Sequence, residues 1–416
     1  NAPGDTSKTS QHDSDNDGLW TSMYGAGECF AYAATKDPKA KERATKAFEA
    51  VAFLSEVTQG GSHPAPHGFP ARTILPTSGH NPNKQESYSA ERDYLQKLSD
   101  PLWKVIVPRW PTSADGKWYW KTDTSSDELD GHYFLYGLYY DLVAESEAEK
   151  ARVREVTARV TDHLIKHNYC LVDHDGKVTR WGIFGPEYLN GPFWTAQRGL
   201  NSLSVLSYIK VAHHVCGDEK YKKAYDSLVK DHHYASNAAY PKVQNGPATG
   251  NQSDDEMAFM CYYHLNKYET DPQLRRIYAM SLRGYWALEE PELCPLFNYI
   301  YAALSDNKTR FTLVPQSCLD DAADTLVRFP TDRVRWGFKN SHRIDVKPLS
   351  GFAFFARGGK RGHLHNGRVI PIDERFIEHW NHSPWTLDED GRGTEMADGA
   401  AYLLPYYMGL YYKFIE

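Results

Sequence analysis

The segment that most constrains the fold is residues 125–142, with the sequence SSDELDGHYFLYGLYYDL. A serine at its start can cap a helix, and the carboxylates that follow sit favourably near the positive end of the helix dipole. Aromatic side chains then occur on every side, and a helix that is apolar all round is buried. The segment therefore predicts a buried helix whose polar first turn, with Asp127, Glu128, Asp130 and His132, opens into an enclosed pocket.

Helix starts of the same type recur along the chain, each followed by an aromatic or apolar run. Their polar residues are Asp17, Asp254, Asp255, Glu256, Asp398 and, with asparagine in place of aspartate, Asn201. The spacing between them is irregular, so the sequence does not indicate a short solenoid repeat. It indicates instead that one type of helix returns several times.

Each such helix is followed by a short polar turn and a charged, amphipathic helix with apolar residues at intervals of three and four. The predicted pairs are residues 17–35 with 39–57, 127–143 with 146–167, 195–215 with 218–236, 253–267 with 271–288, and 292–304 with 318–328. A sixth aromatic helix is predicted at residues 397–414. The class is therefore all-α, with buried inner helices and amphipathic outer ones.

Two long segments interrupt the pairs, at residues 58–124 and 329–395. They are rich in proline, glycine and histidine and contain short runs typical of β-strands. The first also contains a short predicted helix at about residues 88–100. Loops of this length in a compact domain are usually functional. We expect both to form β-hairpin insertions that fold over the end of the molecule at which the inner helices begin.

This series of helical hairpins resembles the (α/α)6 barrel, the six-hairpin toroid used by many glycoside hydrolases and polysaccharide lyases. The resemblance covers roughly residues 17–416 and is architectural, without a motif of one particular family. It implies a single catalytic domain over residues 1–416, with a pocket where the inner helices begin. It also implies a carbohydrate-active enzyme that degrades a polysaccharide. A fold alone does not give a function.

Composition excludes some partners. The formal net charge is −7 and there is no block of lysine and arginine, which argues against nucleic acid. No apolar run approaches the roughly 20 residues of a membrane span. The chain begins with Asn1, so we expect a removed leader or a piece of a longer protein, and a secreted or periplasmic location. The sequence leaves the oligomeric state open.

Hydrolysis of a glycosidic bond usually requires two carboxyl groups that flank the bond. The preferred pair is Asp130 and Asp255, because each lies within one turn of a buried aromatic face, and burial raises a carboxyl pKa toward the acid role. Asp17 is the third candidate and His132 a fourth. For each of these carboxylates the alternative is a structural helix cap, and for His132 a hydrogen-bonded core histidine.

A polysaccharide lyase is the first alternative, since β-elimination from a uronate needs a cation or amide to neutralise the carboxylate, a base and an acid. Three arginines are placed where the pocket is expected, and they suggest a uronic acid in the substrate. Stacking tryptophans and polar residues complete the predicted site. The substrate-binding candidates are Arg72, Asp127, Trp194, Arg198, Asn201, Asp254, Trp336, His342, Arg343 and Trp380.

Two further hypotheses remain open. Residues 13–18 match the first half of an EF-hand loop, which makes Asp13, Asp15 and Asp17 possible calcium ligands, although the twelfth loop position is Tyr24 instead of glutamate. No other metal site is expected and no cofactor is required. The second hypothesis is a non-catalytic carbohydrate-binding module, which would not need several buried acids.

Overall fold

The computed structural model describes residues 2–8, 13–84, 89–192, 195–241, 252–310, 312–349, 360–375, 377, 380 and 382–416. Most of these residues are helical. The helices are α1 (Asp17–Thr35), α2 (Pro38–Leu54), α3 (Ala90–Ser99), α4 (Ser126–Leu142), α5 (Glu147–Lys166), α6 (Pro186–Leu189), α7 (Arg198–Cys216), α8 (Glu219–Lys230), α9 (Tyr234–Asn237), α10 (Gln252–Tyr268), α11 (Pro272–Glu289), α12 (Pro295–Leu304), α13 (Gln316–Arg328) and α14 (Ala400–Tyr411). The mainly helical class predicted from the sequence is confirmed.

We call α1, α4, α7, α10, α12 and α14 the inner helices. Residues 128–139 of α4 are all buried, and so are residues 295–302 of α12. Helix α1 packs against α4, α4 against α7, α7 against α10, α10 against α12, α12 against α14, and α14 against α1. One continuous hydrophobic core extends from Leu19 of α1 to Met408 of α14.

The inner helices run parallel to one another. At the start of α1 the Gly18 amide donates to Glu128 of α4, and just after the two helices' midpoints Gly25 packs against Leu135. Near their ends the Tyr32 hydroxyl donates to Glu145. Other neighbours agree, since α7 and α10 are joined near their C-terminal ends by an ion pair between Lys210 and Glu269. Their N-terminal ends therefore face the same way.

The outer helices run antiparallel to the inner helices they cover. Glu28, in the second half of α1, accepts from Arg43 in the first half of α2. On the next pair, Tyr140 near the end of α4 accepts from Arg154 in the first half of α5, and Tyr133 at the middle of α4 bonds to Thr161 nearer the end of α5. The contact between Asp255 at the start of α10 and Tyr285 at the end of α11 follows the same rule. Each inner helix and its partner thus form an antiparallel hairpin, as the sequence predicts for these pairs.

Four of the outer helices, α2, α5, α8 and α11, are closed at their starts by their own N-cap residues. Asp37 precedes Pro38 and accepts from the Lys39 amide, and Asp271 accepts from the first amides of α11. Ser146 and Glu149 form a reciprocal capping box at the start of α5. Caps of this kind satisfy amides that have no partner within the helix.

Short antiparallel strands decorate the helices. Strand β1 (Ile74–Pro76) pairs with β2 (Trp118–Trp120), β3 (Cys170–Val172) with β4 (Val178–Ile183), and β5 (Val334–Trp336) with β9 (Arg392–Met396). The remaining sheet has the order β6 (Val346–Pro348), β7 (Lys360–Leu364), β8 (Thr386–Leu387). Both long insertions therefore contain strands, as expected.

Three details differ from the sequence prediction. The β1–β2 and β5–β9 pairs join the beginnings and ends of their insertions, so they are not local hairpins. The hairpin β3–β4 lies after α5, outside both insertions, where no strand was predicted. Residues 367–372, predicted as one of the strand-like runs of the second insertion, are irregular and lead into a single 3-10 turn, Ile372–Glu374. Among the described helices, none combines the length and apolarity that crossing a membrane would require.

Candidate functional site

Acidic side chains from several inner helices gather at the end where these helices begin. The negative charges of Asp17 and Asp127 both raise the pKa of Glu128, and those of Asp398 and Asp127 raise the pKa of Glu256. Such effects require the groups to lie near one another. We call this group of carboxyl side chains the acidic end. Its members are Asp17, Asp127, Glu128, Asp130, Glu256 and Asp398.

Glu256, in the first turn of α10, is fully buried. Neither of its carboxyl oxygens has a hydrogen bond of ordinary geometry to a described residue. Burial is the main reason that its pKa rises to about 8, with the charges of Asp398 and Asp127 adding to the effect, while the nearby backbone of Trp380 acts in the opposite direction. The side chain is therefore protonated at neutral pH and can donate a proton.

Asp130 lies one turn into α4 and faces α7 and α10. Its Oδ1 accepts from the Tyr208 hydroxyl at 2.5 Å and from the Cys261 thiol at 3.0 Å, whereas Oδ2 is buried without a partner among the described residues. Burial raises the pKa of Asp130 to about 7, although these two donors favour the charged form. Asp130 can thus change protonation state near neutral pH.

Asp127 is half-buried, in the first turn of α4, and its charge acts on Glu128, Asp130 and Glu256. It makes no hydrogen bond or ion pair of ordinary geometry to a described residue, although Arg72 is close enough for its pKa to be affected by Asp127. The other members that reach solvent, Asp17 and Asp398, accept hydrogen bonds from protein groups. Asp127 is therefore the member best placed to meet a ligand.

Glu128 and His132 have a structural environment. Glu128 Oε2 accepts from the Gly18 amide at 2.6 Å, so a side chain of α4 caps the start of α1. His132 Nδ1 pairs with the Tyr136 hydroxyl at 2.7 Å, and burial lowers the histidine pKa to about 3. A Cβ atom on Gly18 would lie 2.3 Å from Glu128 Oε2 and 2.5 Å from His132 Nε2. Glu128 and His132 therefore pack so closely against the backbone of Gly18 that no side chain fits at this position.

Asp17 is occupied by the local fold. One of its oxygens accepts from the Ser14 hydroxyl at 2.5 Å and the other from the Ile74 amide at 2.9 Å, which ties α1 to β1. Burial raises its pKa, and these two bonds oppose the rise. Like Glu128, Asp17 therefore stabilises the start of a helix, which is the structural alternative to a catalytic role.

The loop that resembles half of an EF-hand is neutralised by protein cations. Lys121 Nζ lies 2.7 Å from Asp13 and pairs closely with Asp15, which also pairs with Arg72 at 3.0 Å. A lysine ammonium thus takes the place that a calcium ion would need between the first two aspartates. The residues present do not fit the predicted calcium site.

Asp255 points toward the outer helix, away from the groups that neighbour Glu256. Its Oδ1 accepts from Tyr285 of α11 at 2.7 Å. Oxygens of Asp255, Glu289 and Glu292 lie within 4.8 Å of one another, a spacing compatible with a metal ion, and Glu292 also accepts from Trp385. Asp254, next to Asp255, is half-buried in the same first turn.

The three predicted carboxylate-binding arginines bond to protein groups. Arg72 donates to the Asp15 backbone and side chain and to the Asp123 carbonyl. Arg198 donates to the carbonyls of residues 189 and 191. Arg343 pairs with Asp345 and with Glu374, so it forms structural ion pairs. The Asn201 amide likewise donates to the Ile183 carbonyl.

The aromatic and loop candidates are dispersed. Trp380 is 4% exposed, donates to the Ala401 carbonyl and has its backbone beside Glu256. Trp336 is 40% exposed and donates to Asp332. His342 is exposed on the connection before β6. Trp194 lies outside the described residues. Of this set, only Trp380 is placed at the acidic end by a described contact.

Glu256 and Asp398 are the site residues that the sequence prediction did not select. Glu256 follows the chosen Asp255 directly, and a step of one residue turns a side chain by roughly 100° around a helix of 3.6 residues per turn. Asp398 was recognised as a helix start but not as part of the site. The signal available was the run of three acids at residues 254–256, which does not say which acid faces inward.

No model of a known protein family matches the chain, and a search among curated proteins finds no relative. The argument for function therefore rests on the geometry of the acidic end.

Proposed function

We propose that the protein is a glycoside hydrolase whose active site is the acidic end. The observation that carries the proposal is the convergence of carboxyl groups from α4 and α10, two inner helices that contact each other although α7 lies between them in the circular order. Asp127 of α4 lies close enough to Asp130 and to Glu256 of α10 to raise the pKa of both, and Glu256 has no well-formed hydrogen bond within the described part of the chain. Two carboxyl groups in different protonation states are what hydrolysis of a glycosidic bond requires.

The environments of the acids suggest their roles. Glu256 is protonated at neutral pH because burial holds its pKa near 8, so it would act as the general acid on the leaving oxygen. Asp127 is half-buried and would act as the anionic partner, either as the nucleophile or as the base for water. Asp130 accepts hydrogen bonds from Tyr208 and Cys261, and its pKa would respond to the charge of Asp127.

We further propose that the helices form an (α/α)6 barrel with this site at its mouth. The support is the circular sequence of inner-helix contacts, in which α14 packs against α1, together with the parallel direction of the inner helices. The insertions would then border the site, as the placement of the Trp380 backbone beside Glu256 suggests.

The arginine contacts favour hydrolysis over β-elimination. A lyase needs a group that neutralises the substrate carboxylate, and Arg72, Arg198 and Arg343 donate to protein oxygens. The proposal therefore does not require a uronate, and neutral polysaccharides belong in any substrate test.

The test is a screen of the purified protein on neutral and uronate-containing polysaccharides. Reducing ends and the ultraviolet absorbance of a C4–C5 double bond would be measured on the same samples. We expect new reducing ends without that absorbance. If the absorbance rises with the reducing ends, the enzyme is a lyase. If a polysaccharide retards the protein in affinity electrophoresis but is never cleaved, the protein is a binding module.

A further inference from the structure

A cavity of about 600 Å³ lies at the opposite end of the inner helices. It is bordered by the C-terminal ends of α10 and α12, by the start of α11 and by the connection that follows α12. Its lining includes the cationic side chains of Arg275, Arg276, Lys308 and Arg310. We call it the basic cavity.

The cations are only partly balanced. Asp306 is the sole carboxylate that lines the basic cavity. It accepts from the Thr312 hydroxyl at 2.6 Å and from the Lys308 amide at 3.0 Å. The Thr312 hydroxyl is the main reason that the pKa of Asp306 is lowered, so this group is an anion in the cavity. The lining therefore remains strongly positive although the chain as a whole carries −7.

Two of these cations have no counter-ion within the described part of the chain. The side chains of Arg275 and Arg276 form no ion pair or hydrogen bond there, whereas the charge of Lys308 acts on Asp306 and helps to lower its pKa. Elsewhere the arginines of the outer helices are used internally. Arg152 and Arg159 of α5, for example, each pair with at least two glutamates. Unpaired cations grouped around one concavity are a feature of anion recognition.

The neutral part of the lining adds a helix dipole. The first turn of α11, through Pro272, borders the basic cavity, so the positive end of that dipole contributes to its potential. The hydroxyl group of Thr312 lines the same wall, but it donates to Asp306 and lies 3.1 Å from the Thr309 hydroxyl. The arginines therefore supply the donors, and their forks match the oxygens of a tetrahedral oxyanion.

We propose that the basic cavity binds a ligand that carries a phosphate or sulfate group. Its volume lies within the roughly 300–1,000 Å³ of small-molecule sites, which leaves room for a sugar attached to the anion. The proposal is independent of the hydrolase assignment, because the cavity and the acidic end lie at opposite ends of the inner helices. The shared chemistry is the oxyanion, which a free ion or a sugar ester can supply.

The test is calorimetric titration of the intact protein with sodium phosphate, sodium sulfate, glucose 6-phosphate, glucose 6-sulfate and glucose, at low and matched ionic strength. We expect binding of at least one anionic probe and no binding of glucose. An ester that binds more tightly than the free ions identifies a sugar ester as the ligand class. Equal affinities identify the free oxyanion.

Variants make the assignment specific. Because charge-assisted hydrogen bonds are lost, the double variant Arg276→Gln/Lys308→Gln should weaken binding about ten-fold or more. Asp306→Asn removes the opposing charge and should strengthen it about three-fold. Arg92→Gln, at an exposed arginine of α3 far from the cavity, is the matched control and should leave the affinity unchanged. The proposal fails if no anionic probe binds at millimolar concentration, or if the double variant binds like the wild type.

Discussion

The outer and inner helices begin in different ways. Helices α2, α5, α8 and α11 each start with an N-cap side chain that accepts an amide of the same helix. At the described starts of α1, α4, α7, α12 and α14 the N-cap residue makes no such bond. Among the outer helices α13 is the exception, since its N-cap is Pro315.

The difference separates local from tertiary stabilisation. An outer helix closes its own start, so its first turn can form from nearby sequence. An inner helix can depend on groups brought from elsewhere, as when Glu128 of α4 caps α1, although at the start of α14 the neighbouring Asp398 accepts from the Ala400 amide. At the start of α10 the side chain of Glu256 accepts no well-formed hydrogen bond from a described residue. Polar groups that folding does not use are available for chemistry, and this is why the inner starts are the candidate site.

The largest expected effect comes from Glu256→Gln. The amide keeps the shape of the side chain but cannot donate a proton to the leaving oxygen, so kcat should fall by about 10²–10⁴ on the best substrate of the screen. In the wild type, kcat/KM should fall as the pH rises through about 8, because Glu256 must be protonated. Initial rates between pH 5 and 10 would measure both.

Asp255→Asn is the matched control for that substitution, since it changes the adjacent buried acid. Asp255 bonds to Tyr285 and contributes a negative charge that raises the pKa of Glu256. We expect kcat near pH 6 to change less than about ten-fold and the alkaline limb to move to lower pH. A larger loss for Asp255→Asn than for Glu256→Gln would restore the pair predicted from the sequence and remove Glu256 from the mechanism.

A second prediction concerns the pH dependence of stability. The pKa of Asp130 is about 7 in the folded protein against 3.8 as a reference, so the folded state binds the extra proton between these values. Protonation of Asp130 contributes about 4 kcal/mol to the free energy of unfolding, at 1.36 kcal/mol per pKa unit. This contribution is complete below pH 3.8 and is lost as the pH rises through 7. Asp130→Asn should remove this component from urea unfolding measured between pH 4 and 8.

Asp141 provides a contrast of opposite sign at the other end of α4. Lys267 and His214 lower its pKa despite burial, so its contribution is present above pH 3.8 and lost as the pH falls. Asp141→Asn should therefore alter only the acid limb of the same curve. If Asp130→Asn leaves the difference in stability between pH 4 and 8 unchanged, the buried aspartate is not protonated in the folded protein.

A third prediction tests the tight packing at the start of α1. Gly18→Ala should destabilise the protein by about 3 kcal/mol, because the new methyl group overlaps Glu128 and His132 and disturbs a buried hydrogen bond. Gly284→Ala on α11 is the control, since nothing lies within 4 Å of its Cβ position. That change should be neutral or stabilise by up to about 1 kcal/mol. Equal destabilisation by both would mean that the inner start is not specially packed.

The smallest effect is expected at a locally closed start. Ser146→Ala removes the donor and acceptor of the capping box on α5 and should cost about 1 kcal/mol of unfolding free energy, without a change in activity. Thermal unfolding and the hydrolase assay would be run together. A loss of activity here would show that the outer starts also contribute to the site.

The hairpin pairs could be predicted because their information is local. A cap such as Asp37 before Pro38 indicates where an outer helix starts. Apolar residues at intervals of three and four indicate which face of the helix is buried. The buried inner helices were recognisable from aromatic residues on every side, as in residues 128–139 of α4. The hairpin β3–β4 was not predicted because its strands, of three and six residues, are too short to show a clear alternating pattern.

The site was less predictable because it depends on which neighbour each side chain meets. The run at residues 254–256 shows that acids are present, but only packing decides that Asp255 bonds to Tyr285 while Glu256 has no well-formed hydrogen bond to a described residue. The arginines mislead for the same reason. Arg72 and Arg198 donate to backbone carbonyls of other segments. Because every residue has a backbone carbonyl, the sequence does not show which of them will accept from an arginine.

The central place of α1 has a consequence for biosynthesis. Its first turn is capped from a residue 110 positions later, and Gly27 rests on the backbone of Leu404. While the chain is being made on the ribosome, α1 therefore has apolar surface that nothing can cover until α14 emerges. Although α1 precedes the other described helices in the chain, its apolar surface is among the last to be fully covered, which makes it a segment that a chaperone would need to hold.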